Sequence, residues 1–423
     1  MKNIFILLFL IPSLSFSLTF KDGKIVEENK FEFDKNSTTV IPKYFFAHVL
    51  NSNTCTIKGV HGDGSYGEKY SELDLDLTNE KNFNYLMKLT EYDWQKEHED
   101  RSNSLSVNHE KHTSRLALLH GSIINAIISN NMELQSDSIT QIMTAWAESG
   151  VFLNTMTLED INKLKEQGKT AKSCYGGSKG DTKAKCLPHK VHEAQIYGAS
   201  FIINAYLVKD QFSKEQFILI DKYIQKLYEK YIFPWADKHL NDDRGFIQMA
   251  DGTISVIAYL AWKNKLEEVD FWFDRGIKKA SKVIYEDGYI HNNSFRGVRD
   301  VWYHSQGVNN LLGLLAITEV WNYNKFPAEL KQRIFKTIDV LNLGLTDVEK
   351  YRERKDPSGL KNFSTDQKDA AYHVHQMAIS LDWLIENFSD RDPTHVRKNY
   401  MWKAKKSQYF VDRNFGFEPK CMN

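Results

Sequence analysis

Turn-forming residues are scarce in this 423-residue chain: 22 glycines and 8 prolines, roughly 7% together against about 12% in average usage. Collagen-like and low-complexity architectures are thereby excluded. Net charge is missing too, with 55 basic residues against 55 acidic ones. A chain so balanced lacks the bulk positive field of a nucleic-acid binder, so any anionic ligand must be held by local basic groups. Long apolar runs are also absent beyond the N-terminus. The nearest candidate, Leu311 to Ile317, falls well short of the ~20 residues that cross a bilayer. What the chain does have is apolar material, 42% hydrophobic and 13% aromatic, enough for a large core and incompatible with disorder.

Residues 1–17 read as a secretory leader: Lys2, the apolar run Ile4 to Ile11, and Ser15-Phe16-Ser17 as a small-x-small cleavage site. A membrane anchor is the alternative, but Pro12 breaks the run and no cysteine near the cleavage site could carry a lipid. The expectation is a soluble, exported, periplasmic protein acting as a single copy. Export permits disulfides, and there are four cysteines, Cys55, Cys174, Cys186 and Cys421. Cys174 and Cys186 flank a Gly- and Lys-rich loop that a bridge could staple, leaving Cys55 for Cys421; four unpaired thiols are the other reading. The lack of a Cys-x-x-Cys pair disfavours zinc.

Residues 18–104 are polar and mixed, with short extended stretches such as Thr38 to Ile41 and no strong helix before Glu80. They read as an N-terminal arm or lid. From about residue 105 the pattern becomes helix after helix. Ser213 opens one with the capping box Ser-x-x-Gln216, and Phe217, Ile220, Ile224, Leu227 and Tyr231 form its apolar stripe up to Pro234. Phe273, Ile277, Ala280 and Ile284 make a second stripe, stopped at Asp287-Gly288; Val308, Leu311, Leu312 and Leu315 make a third; Ile379, Trp383 and Leu384 belong to a late one. A rhythm of paired helices every ~40 to 50 residues predicts an all-α fold, a curved stack of αα-hairpins over residues 105–423 in the form of an incomplete (α/α) toroid.

Two motifs carry little. Gly62-Asp-Gly64-Ser-Tyr-Gly67 spells a dinucleotide fingerprint, but polar Glu68 to Asp74 follows where an apolar helix is needed. It reads as a loop, and no cofactor is expected. His373 and His375, two apart, point about 200° from each other on a helix and cannot share one ion, so no metal is expected either. Asp251, Asp300 and Glu193 are carboxylates without a distinguishing pattern. The informative stretch is Asp287 to Val308, which concentrates His291, Asn292, Asn293, Arg296, Arg299, Tyr303, His304 and Gln306 between two apolar helices. Loops held by rigid elements are where catalytic groups collect.

Here the chain resembles the alginate lyase family of (α/α) toroid polysaccharide lyases, whose Arg-Gly-x-Arg-x-x-x-Tyr-His follows an Asp-Gly turn. The chain has Asp287-Gly288, then Arg296-Gly297-Val298-Arg299-Asp300-Val301-Trp302-Tyr303-His304, matching all five fixed positions of the nine. Trp272-Phe273-Asp274 and Trp146-Ala147-Glu148 add weaker likeness. The resemblance implies β-elimination of a polyuronate, an anionic polysaccharide. Tyr303 would take the C5 proton and protonate the departing oxygen, Arg296 would stabilise the ionised phenol, and His304 would complete the catalytic group. A phenol has an ordinary pKa of about 10, so a nearby guanidinium suits that task. Seven residues of helix would separate the two by about 10 Å along the axis, so part of the segment must be loop.

The family's Asn-Asn-His, which neutralises the substrate carboxylate, has no counterpart at Phe246 to Thr253. His291 or Asn292, with Gln248 second, is the expected replacement; Asp251 and Arg299 are the remaining candidate substrate contacts. Two rivals stand beside the lyase: a toroid glycoside hydrolase using Asp251 and Asp300 as acid and base, and a non-catalytic glycan-binding toroid.

Overall fold

The computed structural model describes residues 76–91, 115–116, 118–123, 126, 131–153, 157–168, 198, 200–242, 249–321, 325–357, 381, 384–386 and 388–396, together with four two-residue strands. Residues 1–17, the four cysteines, Gly62 to Gly67, Thr38 to Ile41, Glu193, Gln248, His373, His375, Ile379 and Trp383 lie outside the described residues, as does the side chain of Asp251.

The described chain is mostly helical, as the hydrophobic periodicity predicts. Its strands are two antiparallel pairs, Phe20–Lys21 (β1) with Lys24–Ile25 (β2), and Gly59–Val60 (β3) with Glu72–Leu73 (β4). The helices are α1 (Glu80–Met87), α2 (Met132–Ser149), α3 (Leu158–Glu166), α4 (Lys214–Leu227), α5 (Phe233–Asn241), α6 (Met249–Trp262), α7 (Val269–Val283), α8 (Asp300–Trp321), α9 (Ala328–Thr346) and α10 (Val348–Glu353). No helix among the described residues is long and apolar enough to cross a membrane.

Helix α1 packs on α2. The Trp146 indole donates to the Leu86 carbonyl at 3.0 Å, and the Leu77 amide donates to Gln135 Oε1 at 2.8 Å. The end of the polar N-terminal region is thus joined to the helical core. α2 in turn packs on α4, α5 on α6, α6 on both α7 and α8, α8 on α9, and α9 on α10. α6 from Ser255 to Trp262 and α8 from Gly307 to Ile317 are enclosed residue after residue, as central helices are. Along α8, Val308, Leu311, Leu312, Leu314, Leu315, Ala316 and Ile317 are all enclosed.

The Ser213 capping box forms as expected: its hydroxyl accepts from the Gln216 amide and the Gln216 side chain accepts from the Ser213 amide. Such a cap is worth about 1 kcal/mol. Pro234, however, does not end that run. Tyr228–Ile232 widens into a π turn that leads directly into α5, where the proline occupies the first helical turn. The proline is accommodated where the π turn shifts the backbone hydrogen-bond register just before it, with the Phe233 amide donating to the Tyr228 carbonyl.

Candidate active site

Helix α7 ends at Val283, and Ile284 pairs antiparallel with Ile290 across a tight turn. The Tyr285 amide donates to the Tyr289 carbonyl at 2.8 Å, and Gly288 closes the turn at φ +87°. A Cβ on Gly288 would lie 2.5 Å from the Lys336 carbonyl oxygen. That position therefore needs glycine twice over, for its left-handed backbone and for its contact with α9.

After the turn the chain does not enter α8 at once. Asn292 takes φ +63°, Asn293–Phe295 forms a 3-10 turn, Gly297 takes φ +63°, and Gly297–Arg299 forms a second 3-10 turn. These two turns supply the loop that the seven-residue interval demands. The Arg296 guanidinium comes to lie over the Tyr303 ring, 4.3 Å from its centroid, rather than the ~10 Å of an unbroken helix. Arg299 sits in the same way over Trp302, at 5.5 Å. Arg296, Arg299 and Tyr303 are all half-buried.

His291 and Asn292 are half-buried at the start of the same segment. The His291 Nδ1 atom lies 2.8 Å from the Tyr285 hydroxyl, which also reaches Asp356 Oδ1 at 3.4 Å. Burial, with the Asp356 carboxylate second, pushes the Tyr285 phenol up to about 12, so it stays protonated. Asn293 is enclosed, and its amide donates to the Tyr303 carbonyl at 3.1 Å. Gly307 makes room for it: a Cβ there would lie 2.7 Å from Asn293 Nδ2 and from Ile290 Cδ1.

His304 occupies a different kind of place. It is 0% exposed. Its Nε2 lies 2.8 Å from the Thr337 carbonyl and its Nδ1 2.7 Å from Ser294 Oγ, which accepts from the Ile290 amide at 2.6 Å. A carbonyl can only accept, so Nε2 carries the proton and Nδ1 accepts from the serine. Burial pulls the ring down to about 4, leaving it neutral. Both nitrogens of His304 are thus engaged inside the core, beside Tyr303 in the sequence.

Asp300 is equally committed. At 4% exposure, it receives Arg352 Nε at 2.9 Å and Nη2 at 3.3 Å, and it accepts from the Val301 amide at 2.7 Å. Asp300 is thus enclosed and ion-paired at the start of α8.

Spacing arguments miss Ser294, Tyr285, Tyr351 and Thr337. Tyr351 is fully enclosed, and its hydroxyl donates to the Ser294 carbonyl at 3.1 Å, while the Tyr289 hydroxyl donates to the Tyr351 carbonyl at 2.9 Å. Of these, Ser294 alone carried a readable signal, standing as a small polar residue inside the donor-rich segment. Among the described residues no cluster of three or more His, Cys, Asp or Glu is placed to hold a metal. Compared with protein-family models and with curated proteins, the chain matches none.

Proposed function

We propose that the protein is an exported polysaccharide lyase cleaving alginate or a related polyuronate by β-elimination, with Tyr303 as acid and base. The observation that carries this reading is the Arg296 guanidinium stacked on the Tyr303 ring. A guanidinium over the face of an aromatic ring is drawn to its electron density, so the two side chains that the reading needs are held against each other.

In this reaction the Tyr303 oxygen removes the proton from C5 of a uronate. The electron pair left behind forms the C4–C5 double bond, the C4–O glycosidic bond breaks, and the departing oxygen takes the proton from Tyr303. The substrate carboxylate must be held while C5 loses its proton, and His291 and Asn292 carry the right donor chemistry at the head of the same loop. A preorganised donor of that kind is commonly worth ~10²-fold in rate. Gln248 remains the second candidate for the carboxylate, and Asp251 and Arg299 remain substrate contacts of this reading. The succession of packed helices from α4 to α10 is consistent with an incomplete (α/α) toroid, with the polymer lying along the segment between α7 and α8.

The test is a panel of polyuronates followed by the ultraviolet absorbance of the new unsaturated chain ends. Tyr303→Phe should lose turnover while still binding polymer, because it gives up the transferable proton and little contact area. Arg296→Lys should be severely impaired, since an ammonium cannot reproduce the planar fork over the ring. Absence of rising absorbance on every polyuronate, or a Tyr303→Phe variant that keeps most of its kcat, overturns the proposal.

A further inference from the structure

The motif segment is tied down at a point that spacing does not reveal. The Ile290 amide, the Ser294 hydroxyl, the His304 imidazole and the Thr337 carbonyl form one hydrogen-bonded chain with steps of 2.6, 2.7 and 2.8 Å. Ser294 and His304 are 2% and 0% exposed, so water does not compete for any of these bonds. The chain starts in the strand entering the segment, crosses α8 through its second turn, and ends on the backbone of α9. Ser294 lies two residues before Arg296, and His304 is the immediate neighbour of Tyr303.

We propose that Ser294 and His304 are positioning residues, a buried relay that clamps the loop bearing His291, Asn292 and Arg296 onto α8 and α9 and so sets where the guanidinium lies over the Tyr303 ring. Each component has a fixed direction. The serine must donate to Nδ1 because its oxygen already accepts from Ile290, and Nε2 must donate because Thr337 offers a carbonyl. Only one imidazole tautomer satisfies both ends, so the ring cannot turn over without leaving a buried polar group unpaired, at a cost of about 1–3 kcal/mol. A second bond restrains the same residue, from the Tyr351 hydroxyl to the Ser294 carbonyl. The segment is thus held by side chain and backbone at once, on the turn that delivers Arg296. A misplacement of about 1 Å in a catalytic group can cost 10²-fold in rate, so small slippage here has a large consequence.

This inference rests on the lyase reading for its kinetic consequence but not for its geometry, and the experiment separates the two. In the wild-type protein, long-range proton–nitrogen spectra of 15N-labelled histidine should show one ring held as the neutral Nε2–H tautomer from about pH 5 to about pH 8, a window in which an exposed imidazole takes up a proton. A protonated ring or an Nδ1–H tautomer for His304 overturns the relay whether or not any polyuronate is cleaved. Kinetics then test positioning. Ser294→Ala should lower kcat ~10-fold or more with KM changed less than about threefold, as expected when transition-state geometry rather than ground-state binding is lost. Ser294→Thr, which keeps the hydroxyl, should recover most of that loss. Full kcat in Ser294→Ala refutes the proposal, as does a parallel fall in kcat, KM and melting temperature that threonine does not repair. If no polyuronate is cleaved while the tautomer is as stated, the lyase reading fails and the clamp stands.

Discussion

Lowering the pH from about 7 to about 5 should weaken the fold through two histidines. His120 and His304 are both enclosed, and burial, which penalises the imidazolium, pulls each from the ordinary 6.5 down to about 4. The Asn204 side-chain oxygen, 2.6 Å from His120 Nδ1, and the Thr337 carbonyl beside His304 oppose that shift only in part. In the unfolded chain both rings take up a proton near 6.5, whereas in the native protein they stay neutral down to about 4. The unfolded state therefore binds more protons throughout that window, and stability falls as pH falls through it, levelling off below about 4. At about 1.36 kcal/mol per unit and per group, the loss at about pH 5 is roughly 2 kcal/mol for each ring and roughly 4 for both. Against the ~5–15 kcal/mol of an ordinary domain, that is a large fraction. Asp76, held below the ordinary 3.8 chiefly by the Gln135 side chain, adds its own loss only in stronger acid. Urea unfolding at constant ionic strength, repeated in half-unit steps, measures the slope directly. Stability that stays flat between about pH 6.5 and 5 refutes the reasoning, since no buried neutral histidine could then be resisting protonation.

The remaining predictions concern the frame of the site. Gly288→Ala combines a φ of +87° with a Cβ 2.5 Å from the Lys336 carbonyl oxygen, and should cost about 3 kcal/mol. Gly168→Ala, at φ +71° with nothing within 4 Å of its Cβ, should cost only the backbone strain of about 1 kcal/mol. Equal melting temperatures for the two variants would contradict the close approach of the turn to α9. Arg352→Met strips the ion pair from Asp300, whose side chain is 6% exposed against 28% for the arginine. The partial exposure of Arg352 reduces the ~3–5 kcal/mol of a fully buried pair to about 2–3. Adding Asp300→Asn should restore part of it, and a single variant as stable as the wild type would show that the pair contributes nothing.

How far the fold and site could be read from sequence depends on the range of the interaction concerned. Capping is local, and Ser213 with Gln216 forms the box that their spacing implies. Pro234 is local too, yet its effect depends on the turn before it: with the backbone widened at Tyr228–Ile232, a residue that usually stops a helix sits within a continuing one. The meeting of Arg296 and Tyr303 follows from their separation once two turns interrupt the helix, and the glycine at 297 is the visible trace of the second. For His304 the motif records adjacency to Tyr303 and says nothing about depth, and the ring is fully enclosed. Its partner Thr337 is 33 residues away, and Arg352, which commits Asp300, is 52 away. Contacts over such distances leave no periodic mark, so the partners Thr337 and Arg352 stayed invisible while Arg296, Tyr303 and His304 were legible.

The segment from the Asp287-Gly288 turn to the second turn of α8 contains every residue of the lyase-like motif, but what fixes it comes later in the chain. Lys336 and Thr337 meet the segment from α9, Tyr351 and Arg352 from α10, and Asp356 from beyond it. During synthesis the nascent chain therefore displays Arg296 and Tyr303 well before anything exists to arrange them. Contacts of that sequence separation close slowly, because loop-closure entropy is lost before they repay it. A molecule whose α9 and α10 have not docked would carry the motif in full and none of its geometry, so competence at this site should arise in a single late step rather than accumulate as the helices form.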